Sequence, residues 1–436
     1  MLTAAGWRAD KRARLVPQIQ GDGNLVSYSR VINFDDVASG REEKLSFAMT
    51  LIYRMALLFL SAVTATAQNA GNNMPAMKRI AGTNTPAHIA ARGFMRGVNI
   101  ANYLEVPPGG GWSIPHTVVD LQRIRAEGFD HIRLPVAWHR YTGPAPEFKL
   151  SDKIFARADK MVTNATALGL NVIINIHNFD EFTTDPGPNT LWFEAIWRQV
   201  AAHYAAAPPG VTFELLNEPK DAATTVLLNP IYAATIRLIR QTNPHRTLFV
   251  GPGRWNSAEE LVNLRLPEDD NNIIVTVHCY DPFHFTHQGA SWAGPDVLRV
   301  TGIVFPGPPA APLKPDAGLH LNPWVLDWID NYNTLPADTN PSSPIAFIPR
   351  IQQARAWSEE FGRPVHFGEF GAYTKADQAS RARFYGAFRQ ALDAAGIGWA
   401  IWDWKSGFNY WDNKTRQPLP GMREALFPVK TQKAGP

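Results

Sequence analysis

The chain has 436 residues, 45% hydrophobic and 19% charged, a globular balance with ample material for a large core. Its 42 Lys and Arg against 39 Asp and Glu leave a formal net charge of +3, too little to steer a polyanion, so no nucleic-acid partner is expected. The single cysteine, Cys279, excludes an internal disulfide without arguing against export, because a chain of this length can bury a sufficient core unaided.

In chain order the first feature is "MTLIYRMALLFLSAVTATAQNA". It starts at Met49, sets Arg54 before the apolar run Met55–Val63, and reaches Ala65-Thr66-Ala67. A basic flank, a short apolar core and an A-x-A site describe a secretory signal peptide rather than a buried helix. The core is too short to span a bilayer, which takes ~20 apolar residues. Residues 49–67 are therefore expected to be a signal, giving a secreted or periplasmic protein with no membrane contact after cleavage. Residues 68–92 are then a leader into the folded domain, and residues 1–48 a disordered extension from a translation start placed too early.

From residue 93 to 427 short β-rich runs alternate with helical patterns. The runs are "FMRGVNI" (94–100), "FDHIRLPV" (129–136), "NVIINIH" (171–177), "VTFELLNE" (211–218), "RTLFVG" (246–251), "NIIVTVHCY" (272–280), "PVHFGEF" (364–370) and "GIGWAIWDW" (396–404). Between them, Ser151 is read as the cap of a helical period through Ile154, Ala158, Met161, Ala165 and Leu168 that Gly169 ends. Asn229-Pro230 reads as a helix start with proline at the first helical position, where its missing N–H costs nothing, and residues 375–396 close on Gly396. Eight strand–helix units predict a closed (β/α)8 barrel forming one domain over 93–427, followed by a tail at 428–436. A doubly wound open sheet is the rival, but no Gly-rich phosphate loop follows the first run.

One connection stands apart. Residues 293–345 hold ten prolines, from Pro295 to Pro344, after the sixth strand. Loops beyond ~12–15 residues are usually functional or disordered, and this one is read as a wall of a substrate cleft.

Active sites of such barrels form at the C-terminal ends of the strands. Those ends carry Arg133, His177, Asn217 and Glu218, His278 and Tyr280, Glu369, and Trp402. Glu218 alone could be a helix-start residue, since Pro219 and a first-turn acid suit one, and Glu369 between Gly368 and Gly371 could be a loop residue. Together they place two carboxylates across the barrel mouth, as glycoside hydrolysis needs: ~5–5.5 Å apart in retaining enzymes and ~6.5–9.5 Å in inverting ones. Sequence spacing does not distinguish the two. Glu214, four residues before Glu218, points the same way ~13 Å deeper on a strand and is expected to be a structural carboxylate in need of a partner. His177, His278 and Glu218 could be imagined as metal ligands, but there is no H-x-H on the first strand and no H-E-x-x-H helix. No metal and no cofactor are expected. Trp402 offers a flat apolar face with one N–H, suited to a pyranose ring.

The segments "GFDHIRLPV", "INIHN", "FELLNEP", "VHCY", "HFGEFG" and "GIGWAIWDW" resemble, in this order, glycoside hydrolase family 5, the cellulase family. The resemblance runs from about Gly93 to Phe427. It implies a (β/α)8 barrel and a retaining double displacement, with Glu218 as acid/base and Glu369 as nucleophile. It further implies that Asn217 bonds the sugar 2-hydroxyl and that Arg133 and Tyr280 keep Glu369 ionised. His177 and His278 would line the site, and Trp402 would carry the sugar. One departure is His177-Asn178, where many members have two histidines; it bears on substrate contacts, not on catalysis. "YDPFHFTHQGASW" (280–292) is similar to the corresponding loop of bacterial endoglucanases, so a β-1,4-glucan is the expected partner. β-Mannan, xyloglucan and other β-glycans stay open, as do a metal-dependent hydrolase and a non-catalytic sugar-binding barrel. A monomer is expected. No separate carbohydrate-binding module is expected after Trp404, since a small domain usually needs ~40 residues.

Overall fold

Eight short parallel strands close on themselves in chain order. The computed structural model describes residues 77–428, Ala317 excepted. Its strands are β1 (Arg96–Asn99), β2 (His131–Leu134), β3 (Asn171–Asn175), β4 (Val211–Glu214), β5 (Leu248–Val250), β6 (Ile273–His278), β7 (Val365–Phe370) and β8 (Gly398–Ile401). Each pairs with its neighbour in sequence, and β8 returns to β1 with Ile401 opposite Val98. The expected (β/α)8 barrel is present and the open sheet is excluded, because closure leaves no strand edge free. The expected extension (1–48), signal (49–67), leader as far as residue 76 and tail beyond Pro428 lie outside the described residues. Among the described residues no helix is long and apolar enough to cross a membrane.

The strands read as nearly unbroken apolar runs because both of their faces are covered. Ile132, Val172, Phe213, Val275 and Phe367 are fully or almost fully buried in the main core cluster, between barrel and helices. Inside the barrel, Phe94, Ile173, Phe249 and Ile274 form a small apolar plug with Ala87. Ala87 belongs to the helix Pro86–Ala91, whose N-cap Thr85 accepts a hydrogen bond from the His88 N–H. Further along the interior the rings of His131 and His366 lie 5.2 Å apart, and beyond them come Arg133, Glu214, Asn99 and Asn175. The interior thus becomes more polar toward the end where the site lies.

The helices follow the sequence patterns with two instructive differences. Asp152–Ala167 buries Ile154, Ala158, Met161 and Ala165 as the period requires, although Ser151 stands at the cap position without a side-chain bond. The helix read as opening at Asn229-Pro230 instead runs Thr225–Arg240, capped by Thr224, with Pro230 inside it. A proline this near the start forfeits one backbone bond, and Asn229 beside it ties the helix to its neighbour by donating to the Asn263 carbonyl (3.0 Å). The helix Gln378–Ala395 is capped by Asp377 and ends on left-handed Gly396. The proline-rich connection is folded: Val300, Ile303 and Phe305 are buried, the Tyr332 hydroxyl of helix Pro323–Thr334 accepts from the Val304 N–H (2.8 Å), and the Phe305 ring packs against Phe285 and Phe384.

Candidate active site

The ladder of β4 stops at Glu214, yet the chain keeps to the barrel wall for three more residues. The Leu215 N–H donates to the Phe249 carbonyl (3.0 Å) and the Asn217 N–H to the Ile176 carbonyl (2.9 Å). Asn217 and Glu218 are thereby delivered to the rim. On the far side a register shift between β6 and β7 sets His278 opposite Glu369; such irregularities re-aim side chains where pairing ends. Arg133 on β2, His177 past β3, Tyr280 past β6 and Trp402 past β8 complete the ring. The barrel brings all eight predicted site residues to one end.

Arg133 is the hub. Its Nε and Nη2 donate to the two oxygens of Glu214 (2.7 and 2.6 Å), Nη2 also to Asn217 Oδ1 (2.7 Å), and Nη1 to Asn99 Oδ1 (2.8 Å) and Glu369 Oε1 (2.6 Å). A guanidinium has five N–H donors in a fixed fork, and these five bonds orient two carboxylates and two amides at once. Burial opposes the charge, but Glu214 and Glu369 outweigh it and hold Arg133 charged. Glu214 is thus the structural carboxylate expected from the strand pattern, and Arg133 is its partner.

Glu369 also accepts from the Tyr280 hydroxyl at Oε2 (2.8 Å). Glu218 shares a hydrogen bond with His278 Nδ1 (2.8 Å). One oxygen of Glu218, one of Glu369 and one nitrogen of His278 all lie within 4.8 Å of one another. That approach fits the short separation of a retaining pair better than the wider one of an inverting pair.

Burial pushes the Glu218 carboxyl up to about 7, Arg133 pulling the other way. Burial also raises Glu369, against the lowering effects of His278, Arg133 and the Tyr280 hydrogen bond. Arg133 acts on Glu369 in the direction the sequence reading assigned, but desolvation is the larger effect. With two donors on its oxygens, Glu369 is the member that ionises first, and Glu218 is the member that keeps a proton. Burial lowers His278 to about 4, so it stands beside Glu218 as a neutral ring.

Glu218, His278 and Tyr280 open onto a cleft of about 550 Å³, walled by Trp255, Phe283, Trp292 and Arg350. Trp402 is half-buried and stacks on His177, with ring centroids 5.5 Å apart and planes 4° from parallel. Of the proline-rich connection, Ala293 lines this cleft, together with Trp292 just before it. Trp324 and Trp328, on the helix Pro323–Thr334, pack on His284.

The family model described as cellulase (glycosyl hydrolase family 5) matches residues 94–407. The chain belongs to glycosyl hydrolase family 5. Among curated relatives, Endoglucanase H of Acetivibrio thermocellus is 28% identical over 70% of this chain and 29% of its own length. Endoglucanase 3 of Fibrobacter succinogenes is 31% identical over 79% and 54%. The chain therefore spans only about a third to a half of these two relatives. Among solved structures, the endoglucanase Cel5A of Thermotoga maritima is 30% identical, covers 79% of this chain and 100% of its own, and superposes with a TM-score of 0.68. Structures of that protein with cellobiose and with mannotriose, each 29% identical over 78% of this chain and 99% of theirs, give TM-scores of 0.67 and 0.65.

Three further residues of this family 5 barrel contribute to the site without a mark in the sequence. Asn99 at the end of β1 accepts from Arg133 and donates to the Gly368 carbonyl (3.0 Å) and the Ile401 carbonyl (3.1 Å), joining β1 to β7 and β8. Asn175 approaches His177 Nδ1 at 3.4 Å. Asn256, past β5, accepts from the Glu218 N–H. Asn99 and Asn175 are single amides inside apolar runs and Asn256 follows a Gly-Pro-Gly turn, and none carries a pattern that sets it apart. As for metal, the donors in reach of one another are Glu218, His278 and Glu369, with Glu369 in the place the sequence reading gave to His177. Both oxygens of Glu369 already accept from Arg133 and Tyr280, and His278 Nδ1 is engaged with Glu218, so the cluster is built as a proton-sharing pair beside a fixed cation rather than an open ligand set.

Proposed function

We propose that this family 5 chain is a secreted retaining β-glycoside hydrolase that cleaves β-1,4-glucan internally. The observation that carries the chemistry is the approach of Glu218 and Glu369 within 4.8 Å. Glu369, fixed by Arg133 and Tyr280, attacks the anomeric carbon. Glu218 gives its proton to the departing glycosidic oxygen, and a glycosyl ester forms on Glu369. Once Glu369 is esterified its charge is gone, the pKa of Glu218 falls, and Glu218 takes a proton from the water that attacks the ester. Asn217, whose carbonyl accepts from Arg133, turns its amide N–H toward the sugar 2-hydroxyl. Trp402, stacked on His177, carries the ring above.

The substrate rests on the endoglucanase relatives and the cellobiose complex of the Thermotoga protein. Its mannotriose complex favours one second reading, a β-mannan. Reducing-sugar release from carboxymethylcellulose, glucomannan, xyloglucan and β-1,3-glucan separates these. Glu369→Ala and Glu218→Ala should each abolish most activity, and azide should yield a β-glycosyl azide only with Glu218→Ala and an activated substrate. Turnover at the wild-type level in either variant refutes the assignment. Activity should survive EDTA; its loss would point instead to a metal-dependent hydrolase. Secretion is supported by the pattern of residues 49–67, and a mature N-terminus that retains residues 2–46 would overturn it. The mature protein is read as a monomer free of membrane and nucleic acid.

A further inference from the structure

Past β5 the chain reads Gly251-Pro252-Gly253-Arg254-Trp255-Asn256 and turns in the less common sense. Arg254 (φ 50°, ψ 55°), Trp255 (φ 56°, ψ 43°) and Asn256 (φ 57°) follow one another in the left-handed region. A residue with a Cβ crowds its following carbonyl there, and three in succession persist only where the surroundings over-determine them.

Those surroundings all lead to Glu218. The Trp255 N–H donates to the Pro219 carbonyl (3.0 Å). Asn256 is fully buried, and its Oδ1 accepts from the Glu218 N–H at 2.6 Å. Its Nδ2 is buried without a partner among the described residues, a costly state, so the side chain is set by its bond to Glu218 and not by its own satisfaction. Gly251 makes the space, since a Cβ there would lie 1.8 Å from Asn256 Nδ2. The next residue, Ser257, bridges in parallel to His278, and His278 holds the Glu218 carboxyl. Glu218 itself has a φ of 44°. The turn therefore grips its backbone through Asn256, while the strand that the turn bridges to holds its carboxyl through His278.

We propose that Asn256 is a positioning residue for proton donation: it fixes the left-handed backbone of Glu218 that aims the carboxyl at the departing oxygen. This rests on the reading of Glu218 as acid/base. Without the acceptor, the Glu218 backbone is free to relax toward the right-handed region, which swings the carboxyl away from the bond to be cleaved.

The test compares wild type, Asn256→Ala, Asn256→Gly and Glu218→Ala on aryl β-glycosides of the disaccharide that the wild type cleaves best. The leaving group is either phenol, which needs a proton to depart, or 2,4-dinitrophenol, which does not. Both Asn256 variants should lose about 10–100-fold in kcat/KM on the phenyl substrate and stay within about 3-fold on the dinitrophenyl substrate. Glycine tolerates the positive φ that alanine does not, so the same split in both assigns the effect to the lost hydrogen bond, and the glycine variant answers alone if the alanine variant does not fold. Equal losses on the two substrates, or none, overturn the proposal when Glu218→Ala shows the split. If Glu218→Ala also loses both equally, the acid/base reading has failed instead.

Discussion

Arg133 and Glu214 form a bidentate ion pair inside the barrel, at 2.7 and 2.6 Å, with neither side chain more than 1% exposed. A buried pair is weak evidence of stability in itself, but removing one member leaves the other charged and unpaired, at about 3–5 kcal/mol. Glu214→Ala should therefore lower the unfolding free energy by about that amount in urea titrations. Glu214→Gln, which keeps one carbonyl acceptor, should cost about 1–3 kcal/mol. A loss below about 1 kcal/mol for the alanine variant would mean that Asn99, Asn217 and Glu369 hold Arg133 without help.

Much of this was legible because it follows from the strand pattern. Read as one strand, the fourth run puts Glu214 and Glu218 on the same side, one interior and one at the mouth; β4 stops at Glu214, and the backbone bonds of Leu215 and Asn217 carry Glu218 to the rim instead. The eight runs placed Glu369 across from Glu218. The separation of the two carboxyls was not legible, since it depends on the register shift that sets His278 against Glu369, and the direction of the Glu369 shift required knowing how completely it is buried. Pro230 misplaced a helix start because the rule that puts proline in a first turn is a preference, and Thr224 supplied the stronger cap. The turn at Arg254–Asn256 left only one trace in the sequence, an asparagine, which tolerates the left-handed region better than most residues.

On the proposed acid/base role, the Glu218 carboxyl, raised to about 7 by burial, should set the alkaline side of the pH profile. It must be protonated to act as an acid, so kcat/KM on substrates with poor leaving groups should fall as pH rises through about 7. The limb should vanish with a dinitrophenyl leaving group, which needs no proton. A limb unchanged between the two substrates would assign that ionisation to another group.

The same shift bears on stability. A carboxyl at about 7 in the fold and near 4.5 unfolded is favoured while protonated: its contribution is intact below about pH 4.5 and is lost as pH rises through about 7. About 3 kcal/mol would be lost in full, and the 26% of the side chain open to solvent reduces this to about 2 kcal/mol. Glu218→Gln should therefore be more stable than wild type at pH 8 by about 2 kcal/mol relative to the difference at pH 4.5. Parallel denaturation curves at the two pH values check this, and a difference that does not change with pH would contradict it.

At the far end of the interior, Gly97 on β1 faces His131 on β2. A Cβ at Gly97 would lie 2.1 Å from Nε2 and 2.4 Å from Cε1 of that ring. The ring cannot step aside: its Nδ1 bonds Asp130 Oδ1 at 2.5 Å, and it is wedged against the Phe94 and His366 rings, each 5.2 Å away centroid to centroid. Adding one methyl to so fixed a neighbourhood forces backbone or side chains off their minima, at a cost of about 1–3 kcal/mol. Gly97→Ala should therefore lower the melting temperature. Arg133, two residues beyond His131 on β2, is anchored independently by Glu214, so kcat per folded molecule should hold. A large fall in kcat with the melting temperature unchanged would show that the two ends of the barrel are coupled through β2.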